Sequence, residues 1–339
     1  MVMITRLLNL LHRRYSRPCQ VIGNGSWTPG TYDGNPDVAG VWSFQRHLPF
    51  LLDGVWYPVR RALRASAPGP IYICEKHYRL LQRVRRMLRL AGVDLQRCVF
   101  LTKVAIRGPV QETQHLVDRM VELGLRTPEN LLPQDYPPPA PDSLDGPRLY
   151  VLDAERAERD AWLQARGFAG RELILIQPGN HRTMSLRRAR WRRRNSDDKW
   201  WPIERWTELL CRIHAKRPNA VLLLRGSKQE LPMLEEIRTL TGLANIATAA
   251  TTLRQFYALC EAAGSVVSVD SGPAHAAAAL SVPLSVLYGA ESPLYWLPRS
   301  PTGSPVVGVG GPPASRRADQ VSVDALFSAW CTVADYRRR

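Results

Sequence analysis

The segment Val266–Ala290, VVSVDSGPAHAAAALSVPLSVLYGA, combines residue types that suit anion binding. An apolar strand is predicted to carry Asp270 into a tight Ser271–Gly272 turn, and a helix begins at once. Small residues at that point leave backbone N–H groups of the helix N-terminus exposed, and such groups bind phosphate. His275, in the first helical turn, can donate a hydrogen bond to the same anion. Taken alone, the pattern also suits a simple helix cap beside a surface histidine.

A second candidate lies between Gln177 and Trp206. Lys199 stands between an acidic pair and the sequence Trp-Trp-Pro, at the start of a predicted helix. Rigid neighbours therefore hold its ammonium group close to the strand ends, as a diphosphate-binding cation requires. Before it, seven arginines lie from Arg182 to Arg194, and such a run is typical of a solvated, charged loop.

A third candidate, RGSKQE (Arg225–Glu230), directly follows a predicted strand. Glu230 could accept hydrogen bonds from the hydroxyl groups of a ribose. A carboxylate at the start of a helix also has a purely structural explanation, because it interacts favourably with the helix dipole.

Strands and helices alternate along the second half of the sequence, with Gly167 as the end of its first helix. The predicted strands are LYVLD (149–153), LILIQPG ending in a turn, AVLLLRGS, SVVSVDSG as strand and turn, and PLSVLYGA. Runs of consecutive apolar residues between helices indicate a parallel sheet covered on both faces. Ligands bind beyond the carboxyl ends of such strands, so the loops after Gln177, Leu224, Val269 and Tyr288 should form the site.

The first part of the sequence also indicates an α/β unit, with a helix from Thr5 to Tyr15 ahead of its first strand. The predicted strands there are CQVIGNG, GPIYICEK and CVFLTK, and HYRLLQRVRRMLRLAG is a helix with a strongly basic face. Five prolines between Gln134 and Pro147 indicate an extended linker. We therefore predict an N-terminal domain (1–134), a linker (135–148), a C-terminal domain (149–320) and a final helix with a basic tail (321–339).

Taken in order, these motifs resemble glycosyltransferase family 9, the ADP-heptose:lipopolysaccharide heptosyltransferases. The family pattern has a Pro-Gly turn after a strand, then K-x-W-P-x-x-x-W, G-x-x-x-E, and a final D-[ST]-G-x-x-H motif. The corresponding residues here are Pro178–Gly179, Lys199 to Trp206, Gly226 to Glu230, and Asp270 to Gly289. The resemblance covers residues 149–300 well and the N-terminal part only loosely.

The resemblance implies a GT-B fold, an α/β architecture of two Rossmann-like, doubly wound parallel-sheet domains facing a central cleft. The implied reaction is an inverting, metal-independent transfer of a sugar, a heptose above all, from a nucleotide-diphosphate donor such as ADP-heptose to a lipopolysaccharide core or related glycan. No cofactor is implied. Lys199 would stabilise the leaving group. The implied donor-binding residues are Gly179, Lys199, Ser227, Glu230, Asp270, Ser271, Gly272 and His275.

The resemblance also implies a strand and a Gly-Asp loop ahead of the first helix, with that Asp as general base. The sequence starts at the helix, so we expect the base to lie before Met1 and this chain to bind nucleotide with little or no transfer activity. Among the early aspartates, Asp33 and Asp37 are expected to form turns, and Asp53 lies in an apolar patch. A catalytically impaired, donor-binding homologue therefore stays open as an alternative.

The amino-acid composition excludes several other classes of protein. The 339 residues are 45% hydrophobic, which excludes a disordered chain, and no apolar run reaches the length of a membrane span. No secretory signal is visible, and six scattered cysteines indicate reduced thiols. We therefore expect a cytoplasmic protein.

A net charge of +16 predicts anionic partners: the donor, the acceptor, and the anionic inner-membrane surface by peripheral contact. Nucleic acid bound by Arg182–Arg194 is the less favoured alternative.

Overall fold

The computed structural model describes residues 1–103, 114–143, 146–180 and 197–336. The chain divides into two compact units, Met1–Ser143 and Leu144–Arg339, called here the N-terminal and the C-terminal unit. The boundary between them falls inside the proline-rich stretch 135–148. The arginine run Arg182–Arg194 and the last residues of the basic tail lie outside the described residues.

Regular elements alternate throughout both units. The helices are α1 (Ile4–Tyr15), α2 (Trp27–Tyr32), α3 (Trp56–Ala65), α4 (Tyr78–Ala91), α5 (Leu116–Leu125), α6 (Asp153–Ala165), α7 (Ile203–Lys216), α8 (Leu231–Thr241), α9 (Leu253–Ala262), α10 (Gly272–Ala279), α11 (Pro293–Trp296) and α12 (Val323–Ala334). The strands are β1 (Cys19–Asn24), β2 (Val38–Phe44), β3 (Ile71–Ile73), β4 (Cys98–Phe100), β5 (Leu173–Gln177), β6 (Val221–Gly226), β7 (Ile246–Ala250), β8 (Ser265–Val269), β9 (Leu284–Tyr288) and β10 (Val306–Gly310).

The C-terminal unit is built on one six-stranded parallel sheet in the order β10-β9-β8-β5-β6-β7. The chain starts at β5 in the middle, adds β6 and β7 on one side, and then returns to add β8, β9 and β10 on the other. This is the strand order of a doubly wound nucleotide-binding sheet. The order reverses between β5 and β8, and the crevice beyond the carboxyl ends of these two strands is where such sheets bind ligands.

Apolar burial explains why this sheet forms. Every residue of β5, β6, β8 and β9 is buried, as expected for parallel strands covered by helices on both faces. Helix α7 packs its predicted apolar face against the sheet through Trp206, Leu209, Leu210 and Ile213. The alanines of α10 from Ala276 to Ala279 are at most 1% exposed, so the absence of larger side chains lets this helix lie against β8 and β9.

The N-terminal unit contains parallel strands as well, but they form two separate pairs. β1 pairs with β2 and β3 pairs with β4, each in parallel, with no ladder between the pairs among the described residues. One hydrophobic cluster nevertheless runs under both pairs, with Phe44 and Trp42 from β2, Ile73 from β3 and Phe100 from β4. The N-terminal unit is therefore α/β, as predicted, without the single continuous sheet of the C-terminal unit.

Several predicted elements need correction. Residues 149–153 do not form a strand: they are extended, and α6 begins at Asp153. Leu149 and Val151 are buried, and Leu149 donates its N–H to the carbonyl of Ala279 at a helix end. The apolar alternation was therefore real, but a helix end, not a strand, accepts the hydrogen bond. Strands β2, β7 and β10 were not predicted; in β7 and β10 the alanines and glycines of IATAA and VVGVG give a weak strand signal.

All six cysteines are free thiols. Helices long and apolar enough to cross a membrane are absent from the part of the chain that the structure describes.

Candidate functional site

An ion pair lies at the point where the strand order reverses. The Lys199 ammonium donates to the Asp270 carboxylate (Nζ to Oδ2, 2.6 Å) and to the backbone carbonyl of the same residue (2.9 Å). Lys199 comes from the segment after β5, and Asp270 directly follows β8. The ion pair therefore joins the carboxyl ends of these neighbouring strands. An ammonium group has three N–H donors. Two of them point to Asp270, and no other described residue accepts a hydrogen bond from the third.

The two aspartates before Lys199 hold it in place. Asp197, 3% exposed, accepts from the Lys199 N–H (3.1 Å) and from the Asn180 side-chain amide (3.0 Å). Asp198 accepts from the Ala290 N–H through its carboxylate (2.8 Å). A Cβ atom at Gly289 would lie 2.5 Å from Asp198, so only glycine allows this approach. The acidic pair therefore has a positioning role, which the sequence pattern did not reveal.

The predicted turn after β8 is present. Ser271 does not cap α10 with its side chain; its hydroxyl donates to the Val269 carbonyl (3.0 Å), and its backbone is fully extended. Open space surrounds the position that a Cβ atom of Gly272 would occupy, so the first turn of α10 is accessible from the crevice. His275 is half-buried, and its ring meets the Trp296 ring edge-on at 6.4 Å.

Glu230 lies one strand further along the sheet. Its carboxylate is buried at 4% exposure, and Oε2 accepts from the Ser227 N–H (2.7 Å). Oε1 and the Ser227 hydroxyl are buried without a hydrogen-bond partner. A Cβ atom at Gly179 would lie 1.8 Å from Oε1, so glycine is required there. Buried polar atoms of native proteins are nearly always paired, and two unpaired ones in the segment after β6 therefore make this segment a candidate ligand position.

Arg225, at the carboxyl end of β6, opens the predicted candidate segment Arg225–Glu230, but the motif analysis gave it no role. Its guanidinium donates to the Gln177 side chain (2.5 Å) and to the Thr251 hydroxyl (3.0 and 3.1 Å), and it stacks on the Phe256 ring at 4.2 Å. Burial lowers the pKa of Arg225 to about 10, so the cation persists at neutral pH. A signal was present in the sequence, since a charged residue ended an otherwise apolar strand.

The structure thus brings together every residue predicted for donor binding along the carboxyl edge of one sheet. Lys199, Asp270, Ser271, Gly272 and His275 lie at the ends of β5 and β8, and Gly179, Ser227 and Glu230 at the ends of β5 and β6. A depression of about 330 Å³ between Gly170 and Ala220 lies instead at the amino ends of β5 and β6, where doubly wound sheets do not bind ligands.

Two of the three early aspartates hold local structure through their carboxylates. Asp37 accepts from the His12 ring and the Asn9 amide just before β2, at the amino end of that strand. Both carboxylate oxygens of Asp53 accept backbone N–H groups, from Gln45 and Val55. Asp33 is exposed at the end of α2. Asp37 therefore joins the start of β2 to α1, and the turn-forming roles of Asp33 and Asp37 stay predictions.

The fold and the site define a doubly wound α/β protein with a lysine–aspartate ion pair at its switch point. The model of glycosyltransferase family 9 (heptosyltransferase) matches residues 90–322, and the chain belongs to this family. The match extends beyond the region 149–300 that the motifs covered, into the N-terminal unit.

Two curated relatives resemble shorter stretches of the chain. The lipopolysaccharide core heptosyltransferase OpsX of Haemophilus influenzae is 35% identical over 103 residues, which are 30% of this chain and 29% of that protein. The lipopolysaccharide heptosyltransferase 3 of Escherichia coli is 32% identical over 108 residues, 30% of this chain and 31% of that protein. The chain therefore spans less than a third of the length of the curated relatives it matches.

Solved structures show the fold over nearly the whole chain. The E. coli ADP-heptose lipopolysaccharide heptosyltransferase II superposes with a TM-score of 0.68 at 19% identity, covering 98% of this chain and 95% of that one. A family 9 glycosyltransferase from Veillonella parvula gives 0.70 at 15% identity, covering 98% and 93%. The fold is therefore of the GT-B class, as the motifs predicted.

Proposed function

We propose that this chain is a glycosyltransferase that transfers a heptose from ADP-heptose, or a similar nucleotide-diphosphate sugar, to a lipopolysaccharide core or related glycan. The observation that carries the proposal is the Lys199 ammonium, which has an uncommitted N–H donor at the switch point of the C-terminal sheet. Membership of family 9 and the resemblance to lipopolysaccharide heptosyltransferases support the choice of sugar and acceptor.

The spacing of the strands supports the direction in which the donor lies. Adjacent strands are about 4.8 Å apart, so a nucleotide with its diphosphate at Lys199 and Asp270 has its ribose one strand away, beside the unpaired Oε1 of Glu230. The base then lies beyond the carboxyl ends of β6 and β7, near Arg225 and Thr251. A nucleoside diphosphate therefore matches the order of the polar groups along the edge.

The chemistry follows from the growth of negative charge on the diphosphate as the glycosidic bond breaks. The third N–H of Lys199 and the N–H groups at the start of α10 stabilise that charge, which is larger in the transition state than in the bound donor. We propose an inverting displacement without a metal, since these fixed donors supply the charge stabilisation. The general base for the acceptor hydroxyl is not assigned to a described residue.

The proposed setting is the cytoplasm, at the inner face of the inner membrane, where a lipid-linked acceptor is accessible. The proposed partners are the nucleotide-sugar donor and the glycan acceptor, and no nucleic acid is proposed.

Calorimetric titration with ADP tests the donor site. The Asp270→Ala and His275→Ala variants should each bind ADP at least tenfold more weakly than the parent chain, with unchanged circular dichroism. The control is Lys216→Ala, because Lys216 forms an ion pair with Asp335 at the amino ends of β5 and β6, away from the predicted site. Unchanged affinity in both site variants would contradict the donor site.

Turnover of ADP-heptose with a truncated lipopolysaccharide tests the reaction. Lys199→Ala should lower kcat by roughly 100-fold and change KM much less, because its third N–H acts mainly on the transition state. A higher KM at unchanged kcat would make Lys199 a positioning residue. Nucleotide binding by the parent chain without turnover would instead favour a donor-binding homologue.

A further inference from the structure

A part of the N-terminal unit carries unpaired positive charge beside exposed apolar side chains. Residues 45–92 contain ten Lys and Arg residues and only two acidic ones, Asp53 and Glu75. Helices α3 and α4 contain no acidic residue at all. We call the loop 45–55 together with the solvent-facing sides of α3 and α4 the basic face.

The arginines of this face lack carboxylate partners. Helices α3 and α4 carry eight arginines, and among the described residues none of the eight forms an ion pair: Arg60, Arg61, Arg64, Arg79, Arg83, Arg85, Arg86 and Arg89. In the C-terminal unit, by contrast, Arg156 pairs with Glu261 and Arg254 with Glu155. The positive charge of α3 and α4 is therefore not neutralised by any carboxylate within residues 1–103, 114–143, 146–180 and 197–336.

Side-chain contacts join the two helices and the loop into one surface. Arg83 of α4 donates to the Leu48 carbonyl of the loop (2.8 Å) and lies over the Phe50 ring, which meets the Trp56 ring at the start of α3. At the other end, Arg64 of α3 donates to the carbonyl of Ala91, the last residue of α4 (2.9 Å). The helices therefore run side by side, with both starts next to the loop.

Large apolar side chains are exposed at these starts. Leu52 is 75% exposed, Tyr57 is 70% exposed and Tyr78 is 74% exposed, and Leu51 and Leu80 are exposed as well. We call these five residues the apolar tip. Single exposed apolar residues are ordinary, whereas a cluster of them next to unpaired cations is typical of a surface that binds a partner.

We propose that the basic face docks the protein on an anionic lipid bilayer, with the apolar tip inserted among the headgroups. Arginines near an anionic membrane surface are attracted to it, and tyrosine and leucine on an amphipathic surface enter the interfacial region. A nucleic acid would use the arginines but gives no reason for Leu52 to be exposed. The charge and the apolar tip together therefore favour the bilayer.

The position of the tip suits a reaction on a membrane-borne acceptor. The loop 45–55 follows the carboxyl end of β2, and α4 begins after the carboxyl end of β3. In α/β units this is the edge where substrates bind. The docking proposal relies on the proposed function only for this last point, since lipid binding needs neither donor nor acceptor.

Co-sedimentation of the full chain with vesicles tests the proposal. The chain should bind vesicles of phosphatidylcholine with 30% phosphatidylglycerol and not vesicles of phosphatidylcholine alone. Arg79→Gln, Arg86→Gln and Arg89→Gln combined should weaken binding roughly 100-fold, about fivefold per arginine. Leu52→Ser, Tyr57→Ser and Tyr78→Ser combined should weaken it at least tenfold while keeping the charge.

Two matched controls separate the surface from the overall charge. Arg166→Gln, Arg171→Gln and Arg316→Gln remove the same charge from exposed positions of the C-terminal unit, and Leu132→Ser with Leu240→Ser removes exposed leucines elsewhere. Both controls should bind vesicles as the parent does. Three results would overturn the proposal. They are losses of vesicle binding in the controls equal to those in the test variants, equal binding of the parent chain to neutral vesicles, and full binding by the apolar-tip variants.

Nucleic acid and folding are checked in the same series. Binding of a duplex DNA or an RNA oligonucleotide that depends on Arg79, Arg86 and Arg89 but not on the tip, without vesicle binding, would also overturn the proposal. Every variant should keep the ADP affinity of the parent chain, because the substitutions lie outside the donor site. Failure of the parent chain to bind ADP would contradict the proposed function but would not affect the vesicle result.

Discussion

The two units of this chain use the same kind of element to different extents. In the C-terminal unit, six parallel strands join in one sheet, and four of these strands are buried at every position. In the described part of the N-terminal unit, four strands form two pairs, and β1 has no fully buried position. A parallel sheet is stable when it is covered on both faces and when each inner strand has two neighbours. The comparison teaches that the C-terminal unit has a continuous framework with four fully buried strands, whereas the two strand pairs of the N-terminal unit are joined mainly by a shared apolar cluster.

A matched pair of core substitutions would test this difference most strongly. Val267 in β8 is 0% exposed, and Val267→Ala should lower the free energy of unfolding by about 2.5 kcal/mol through lost burial and an unfilled cavity. Val21 in β1 is only half-buried, and Val21→Ala should cost about 1 kcal/mol. Urea denaturation followed by circular dichroism measures both. Equal losses would show that the two units are equally well packed.

Alkaline pH should affect the N-terminal unit first. Burial raises the pKa of Cys19 and Cys74 to about 12 and that of Cys98 to about 11. The unfolded chain releases these protons above about pH 9, whereas the folded chain keeps them. The free energy of unfolding therefore falls as the pH rises from 9 towards 11, by roughly 1 kcal/mol for each of Cys19 and Cys74 at pH 10. In the C-terminal unit, a raised pKa of Tyr288 and a lowered pKa of Arg225 act in opposite directions.

The measurement is the urea midpoint at pH 8 and pH 10, taken separately for each unit by mass-spectrometric mapping of thiol alkylation. The control is Cys19→Ser with Cys74→Ser, in which most of the pH dependence of the N-terminal unit should disappear. A larger alkaline shift in the C-terminal unit would reverse the expected order.

The smallest expected effect concerns helix capping. Helices α1 to α4 have no side-chain cap, whereas Thr252 and Gln255 exchange hydrogen bonds at the start of α9 (3.2 and 3.0 Å). Thr252→Ala should therefore lower the free energy of unfolding by about 1 kcal/mol, and Thr252→Ser should restore most of it. Identical urea midpoints for the alanine and serine variants would mean that this cap adds nothing.

The sequence predicted the elements whose apolar pattern is strong and local. β5, β6, β8 and β9 were predicted because each is a run of apolar residues between helices, and α7 because its apolar residues recur at helical spacing. β3 and β4, three residues long, were found only approximately. The predicted strand at 149–153 was wrong, because burial of alternate residues does not specify which group accepts their backbone hydrogen bonds.

The candidate site divides in the same way. Asp270, Ser271 and Gly272 form a local motif, and their placement follows from strand, turn and helix signals. The contact of Lys199 with Asp270 joins residues that are 71 positions apart, and the contact of Arg225 with Gln177 joins residues 48 apart. Such pairs depend on the order of strands in the sheet, which the spacing of residues along the chain does not determine.

The depth of the Lys199–Asp270 pair has a consequence for how salt acts on the protein. The two side chains are 20% and 6% exposed, and mobile ions screen buried charges far less than exposed ones. The exposed arginines of α3 and α4 lie within reach of dissolved ions, and the Debye length shortens from about 10 Å at 0.1 M salt to about 3 Å at 1 M. Added salt should therefore weaken the proposed binding to anionic lipid strongly. The proposed binding of ADP in the crevice between β5 and β8 should weaken much less.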